Sequence, residues 1–192
     1  MKIPLITENS GEKLMKKILA VIALGLSAGL VSFTAVAHGP SPLKVDKSVT
    51  IKADPAKVWA LVKDFGNMQK WHPAIASTKL EKKGEDTFRT LTLKDGGTIY
   101  EKLRSADDAD MKIKYEIVSS KLPLTDYNAF MVVTKGAKPG ETNVQWVGRF
   151  YRLYKLNPPI PAGQDDETAL KAIEGIFDTG LAGLQKAAES SK

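Results

Sequence analysis

The chain has 192 residues, a net charge of +6 and no cysteine. Its length makes one domain the default. Without thiols, disulfide scaffolds, thiol catalysis and cysteine metal sites are excluded. With two histidines, no Ser/His/Asp grouping emerges.

Met15-Lys16-Lys17 precedes an uncharged apolar run, Ile18 to Phe33, and the small residues Ala35-Val36-Ala37. Basic start, apolar core and A-x-A are the parts of a secretory leader. The expectation is a signal peptide over residues 1–37, cleaved after Ala37, and a domain over 38–192. Glu8, Asn9 and Glu12 do not suit a basic leader, which points to Met15 as the true start. The apolar run is just long enough to span a bilayer. Gly25, Gly29, Ser32 and Thr34 fit a processed segment better, so no stable membrane anchor is expected after cleavage. Four of the 28 Lys/Arg and two of the 22 Asp/Glu precede residue 38, which leaves the mature part at +4. No basic stripe with aromatics marks it for nucleic acid.

Lys44 to Lys52 alternates, with Val45, Lys47, Val49 and Ile51 on one side, and reads as a strand. Asp54 suits a helix N-cap and Pro55 the first helical position. Val58, Leu61, Val62 and Phe65 follow at helical spacing, and Gly66-Asn67 stops the helix. Trp71-His72-Pro73 reads as a short turn or helix ending before the proline. Ser77–Lys83 and Thr87–Leu93 are strands. The second sets Phe88, Thr90 and Thr92 against Arg89, Leu91 and Leu93. Asp95-Gly96-Gly97 is a hairpin signal leading into Thr98–Arg104.

Met111, Ile113, Tyr115 and Ile117 alternate with charged residues as a half-buried strand. Leu122-Pro123-Leu124 interrupts pairing. Tyr127–Thr134 and Thr142–Tyr154 are two further strands. Asp165, Asp166 and Glu167 place negative charge at the start of a last helix, where the helix dipole favours it. Leu170, Ile173, Phe177, Leu181 and Leu184 give that helix one buried face, while Gly175, Gly180 and Gly183 lower its propensity. The order is β-α-α-β-β-β-β-β-β-α.

This order resembles the SRPBCC (START/polyketide-cyclase-like) superfamily. The marks are Ala53-Asp54-Pro55-Ala56-Lys57-Val58-Trp59, Trp71-His72-Pro73, the glutamate of Tyr100-Glu101-Lys102-Leu103, and Leu122-Pro123-Leu124-Thr125-Asp126-Tyr127. The resemblance implies an α+β helix-grip fold, a curved antiparallel sheet wrapped around a long C-terminal helix, with a cavity between them. The leader and Ala37-His38-Gly39-Pro40-Ser41-Pro42-Leu43-Lys44-Val45 are similar to the MxaD-type periplasmic family of methanol-oxidising bacteria. That likeness implies a periplasmic, non-enzymatic accessory protein. It would help methanol dehydrogenase pass electrons to its cytochrome c. The alternatives are a carrier of a small hydrophobic ligand or lipid, and a cyclase/dehydrase-like enzyme using Glu101 or Asp126-Tyr127 as acid/base.

No haem motif, nucleotide loop or metal cluster is legible, so no cofactor or metal is expected. On this fold the cavity candidates are Trp71, His72, Phe88, Glu101, Met111, Ile113, Tyr115, Tyr127, Met131, Trp146, Phe150 and Phe177. His72 is read either as a polar group at the cavity mouth or as a turn residue. Glu101, on the Ile99/Leu103 side of its strand, is expected to have a raised pKa or a basic partner such as Arg104 or Arg149.

Overall fold

The computed structural model describes residues 39–190. The expected leader, the start at Met15 and His38 lie outside the described residues. The first strand, β1, is Leu43–Ile51, with Val45 and Ile51 buried. Helix α1, Pro55–Lys63, starts as its sequence dictates: the Asp54 carboxylate accepts the Ala56 N–H at 2.8 Å and Pro55 takes the first helical position. It buries Val58, Trp59 and Val62. The helix stops earlier than Gly66 because Asp64 folds back to accept both bonds from the Asn67 amide. Phe65 is buried from the turn rather than from the helix, and Leu61 is only half-buried. Trp59 was not on the expected face. It is buried and donates its indole N–H to Asp108 at 2.6 Å.

One turn of 3-10 helix, Met68–Lys70, leads to Trp71 and His72. Six strands follow: β2 Ile75–Lys83, β3 Asp86–Leu93, β4 Thr98–Asp107, β5 Lys112–Ser120, β6 Leu124–Lys135 and β7 Thr142–Arg152. All pairs are antiparallel, in the order β1-β7-β6-β5-β4-β3-β2. The first two strands in sequence therefore sit at opposite edges of one curved open sheet. Helix α1 and the 3-10 turn carry the chain between them, with α1 packed on β5, β6 and the last helix.

That helix, α2, is Asp166–Ser190. Asp165 caps it by accepting the Thr168 N–H at 2.8 Å. Its buried face is Ala169, Ile173, Phe177, Gly180, Leu181, Leu184 and Ala188, laid on β1 and β7. Two of its glycines are contact points. A Cβ on Gly183 would stand 2.1 Å from the Trp71 carbonyl oxygen, and one on Gly180 would stand 2.7 Å from both His72 and Trp146. Nothing lies within 4 Å of a Cβ on Gly175. The architecture is the expected α+β helix-grip fold.

Three local expectations need correction. Phe88 points away from the core: the inward set of β3 is Arg89 and Leu91, and Phe88 stacks on Tyr100 at 5.2 Å between Lys83 and Lys102 on the outer face. Met111 is not a strand residue. It has a left-handed φ of 43° in the turn before β5 and packs half-buried at the core margin. Asp126, at φ 53°, occupies the irregularity in the β6–β7 pairing between Thr125 and Asn128. It is exposed on Lys155, while its neighbour Tyr127 is buried, so the two do not form one acid–hydroxyl pair.

Candidate functional site

A cavity of about 400 Å³ lies between the inner face of the sheet and α2. Its buried wall is built by Met68, His72, Ile75, Leu91, Ile99, Glu101, Tyr115, Tyr127, Trp146 and Ile173. Half-buried and exposed residues form the rim: Leu93 from the end of β3, Asp95 and Leu122 from the loops, and Ala172, Gly175, Ile176 and Thr179 from α2. Period-two alternation on β3, β4 and β5 aims Leu91, Glu101 and Tyr115 at the same space. The lining is apolar apart from a polar cluster on the buried wall, the usual chemistry of a small-molecule site.

That cluster begins with a cross-strand pair. Arg89 and Glu101 are directly opposed on β3 and β4. Arg89 Nε donates to Glu101 Oε2 at 2.5 Å, and Arg89 NH1 donates to the Phe65 carbonyl at 3.2 Å. The guanidinium also lies over the Phe65 ring at 4.0 Å. Burial pushes the Glu101 carboxyl up from the ordinary glutamate range, and Arg89 pulls it back. An arginine does not give up its proton, so the carboxyl always faces a positive charge. The partner named from sequence was wrong. Arg104 pairs with Glu116 and Arg149 is exposed. The hairpin itself held the answer: counting outward from Asp95 places residue 89 opposite residue 101.

Beyond the ion pair, Trp146 Nε1 donates to the Tyr115 hydroxyl at 2.8 Å, and the Tyr127 ring packs beside that of Tyr115, 6.2 Å between centroids. Burial raises both phenols, so they remain protonated. Gly148 makes room for this: a Cβ there would stand 3.1 Å from the Tyr127 ring and from Phe177. Trp146 is stacked on Phe177 at 4.2 Å.

His72, Glu101, Tyr115, Tyr127 and Trp146 are thus brought together in the cavity wall. Ile113, Met131, Phe150 and Phe177 are buried in the core behind it and do not line it. Trp71 is buried too, and walls a second, more open hollow of about 640 Å³ with Gln69, Lys70, Pro73, Gly183 and Lys186. Phe88 and Met111 belong to neither space. Sequence reasoning missed Arg89, whose charge suggested the outer face. Among the described residues, no group of three or more His, Asp or Glu is placed to hold a metal.

His72 is 1% exposed rather than at a mouth. Its Nδ1 accepts the Ala74 N–H at 3.2 Å, so Nε2 carries the proton that it donates to the Ile176 carbonyl at 3.1 Å. The neutral ring makes both bonds; a second proton would face the Ala74 N–H. Burial first, and the charge of Arg89 next, hold its pKa below the ordinary histidine value, against the pull of the Ile176 carbonyl. A lowered histidine contributes stability that is complete above about pH 6.5 and is lost as pH falls through the folded value. His72→Asn should be less stable than wild type at pH 7.5, and the gap should narrow at pH 5. Urea unfolding at both pH values checks this, and a gap that stays constant would rule the account out.

The family model for "Polyketide cyclase / dehydrase and lipid transport" matches residues 42–189. No curated protein matches the chain. Among solved structures, the protein XoxI from Bacillus cereus is 30% identical, with a TM-score of 0.67 over 77% of this chain and 96% of that one. An uncharacterised protein from Bacillus thuringiensis is also 30% identical, with a TM-score of 0.66 over 76% and 98%. The Zhui aromatase/cyclase from Streptomyces sp. R1128 is 16% identical, with a TM-score of 0.63 over 78% and 94%, a likeness of fold alone. Sheet order, the long closing helix and the matched span agree, and the chain belongs to the polyketide cyclase/dehydrase and lipid-transport family of the SRPBCC superfamily.

Proposed function

We propose that the domain is a non-catalytic binding protein that holds one small, mainly apolar molecule in the cavity under α2. The observation that carries this is the cavity itself. A domain of this size normally packs its interior to crystal-like density, with few voids larger than a water. Here about 400 Å³ is left open inside a wall that is otherwise well packed. Trp146, Phe177 and His72 are locked by stacking and hydrogen bonds, so collapse of that wall would cost contacts already made. Native mass spectrometry of protein purified without detergent tests the proposal. It should show a co-purifying mass or uptake of an added apolar probe. Protein that stays empty with every probe of suitable size would end it.

A second reading concerns where such a protein works. The leader-like N-terminus and the marks at Ala37–Val45 favour export and an accessory role in periplasmic methanol oxidation. The partner there would be methanol dehydrogenase or its cytochrome c. A mature charge of +4 suits an acidic partner, and an association of that kind weakens with salt. Immobilised domain should retain one of these two proteins at low ionic strength and release it as salt is raised. Retention of neither, at low salt, would remove the methanol-oxidation role and leave the cavity proposal intact.

A cyclase-like enzyme is the third reading. The geometry gives it less support, because Glu101 is committed to Arg89 and Asp126 is turned out to Lys155.

A further inference from the structure

The outer face of the sheet carries a patch that the cavity does not use. On β5, β6, β7 and β1, the residues turned away from α2 stand opposite one another in two rows. One row is Lys114, Phe130, Val147 and Asp46; the next is Glu116, Asn128, Arg149 and Lys44. Val132 follows Phe130 on the same side of β6, and the Lys112 ammonium lies 4.4 Å from the centre of the Phe130 ring. Phe130, Val132 and Val147 do not belong to the hydrophobic core on the other face. The patch therefore has an apolar centre of its own.

Its surround is basic. Lys44, Arg104, Lys112, Lys114 and Arg149 stand around that centre, against the carboxylates of Asp46 and Glu116. Both carboxylates are already spent, Asp46 on Lys44 at 2.6 Å and Glu116 on Arg104 at 3.3 Å. Lys114 and Arg149 are exposed and have no anionic partner among the described residues. Cations gathered around an apolar centre repel one another, and an acidic surface laid on them relieves that repulsion. Arg104, Lys114, Asn128 and Phe130 also wall a hollow of about 240 Å³, which gives an aspartate or glutamate side chain space between two cations. A lipid surface fits this face less well. Membrane-binding faces sink their apolar side chains below the headgroups. Here Phe130 and Val132 are half-buried, Val147 is 2% exposed, and Asp46 and Glu116 would meet anionic headgroups as like charges.

We propose that the outer face of β5, β6, β7 and β1 is the docking surface for an acidic protein partner. Lys114 and Arg149 take its carboxylates, and Phe130 lies at the centre of the contact. The cavity is on the opposite face of the sheet, under α2, so a ligand and this partner do not compete for space. The proposal rests on the accessory reading above and names the surface that it would use.

The two candidate partners of that reading, purified methanol dehydrogenase and purified cytochrome c, are the probes, each titrated against the immobilised domain. Lys114→Glu/Arg149→Glu should weaken binding of the true partner at least about tenfold at low ionic strength and flatten its salt dependence. Lys79→Glu/Lys94→Glu is the control. It changes the net charge equally at exposed positions on β2 and in the β3–β4 turn, and should cost no more than about twofold. Should circular dichroism show the reversed pair unfolded, Lys114→Gln/Arg149→Gln replaces it, with a loss of at least about threefold. Equal losses from the patch and control variants, or none from the patch variant, overturn the surface and leave the accessory reading standing. Wild type that binds neither protein overturns both. Binding to phosphatidylglycerol vesicles that the patch variant alone abolishes, with protein binding unchanged, overturns the proposal in favour of a lipid surface.

Discussion

Arg89→Met is expected to destabilise the domain by about 3–5 kcal/mol at neutral pH, the usual loss when one member of a buried ion pair is removed. The methionine could fill the space over the Phe65 ring. It could not satisfy the Phe65 carbonyl or the Glu101 carboxylate, both now facing an apolar wall. The loss should depend on pH. Burial already raises Glu101, and without Arg89 it rises further. A group raised in the folded state contributes its stability in full below its unfolded value, about pH 4.3 for glutamate, and loses it as pH climbs through the folded value. The gap between Arg89→Met and wild type should therefore be smallest in acid and widest at pH 8. Glu101→Gln should behave in the opposite sense: it removes the raised carboxyl while the stranded arginine keeps its proton, so its gap to wild type should be widest in acid and narrow as pH rises. Urea unfolding at pH 4.5, 6 and 8 distinguishes the two. Parallel pH profiles for the two variants would show that the pair is not the unit described here. The double change Arg89→Met/Glu101→Leu should recover most of the stability, because an apolar pair needs no compensation.

Gly183→Ala should be the most damaging single methyl in α2. Its Cβ would stand 2.1 Å from the Trp71 carbonyl oxygen and 2.6 Å from Pro73 Cδ, and the first of these is backbone that cannot swing aside. Overpacking of this kind costs about 1–3 kcal/mol and sometimes more, beyond the roughly 1 kcal/mol that alanine gains over glycine in a helix. Gly175→Ala is the matched control. It lies in the same helix with open space around it, so only the propensity gain remains, and stability should rise by about 0.5–1 kcal/mol. The two variants should shift the thermal midpoint in opposite directions. A stabilised Gly183→Ala would mean that α2 is not seated on the Trp71–Pro73 turn.

These two positions also show how far the sequence could be read. Alternation and caps located the strands and both helices to within a few residues, because a half-buried strand and a capped helix are local patterns. The curved antiparallel sheet around the last helix came with the family resemblance, and the order of strands within it was not read from the sequence. Propensity treated Gly175, Gly180 and Gly183 alike, whereas packing separates one free glycine from two contact points. Parity was the other blind spot. On β3 the choice lay between a set containing Phe88 and a set containing Arg89 and Leu91, and the charge of Arg89 argued for the wrong face. Burial of that arginine depends on Glu101 and Phe65, which are distant in sequence. Tyr115, Tyr127 and Trp146 were legible one by one as inward residues. The bond from Trp146 to Tyr115 was not, because β5, β6 and β7 must be in register before the two side chains meet.

The sheet order has a consequence for assembly of the chain. Among the described residues β1 finds its only strand partner in β7, with Leu43 opposite Phe150 and Ile51 opposite Thr142, and it is also covered by α2. The first strand made is thus completed by the last strand and the last helix. Contacts this distant in sequence close a long loop before they return any stability, which slows folding. Until residues 142–190 are available, β1 has no mate and its apolar face is uncovered. A nascent or truncated chain is therefore held from its native state by topology alone.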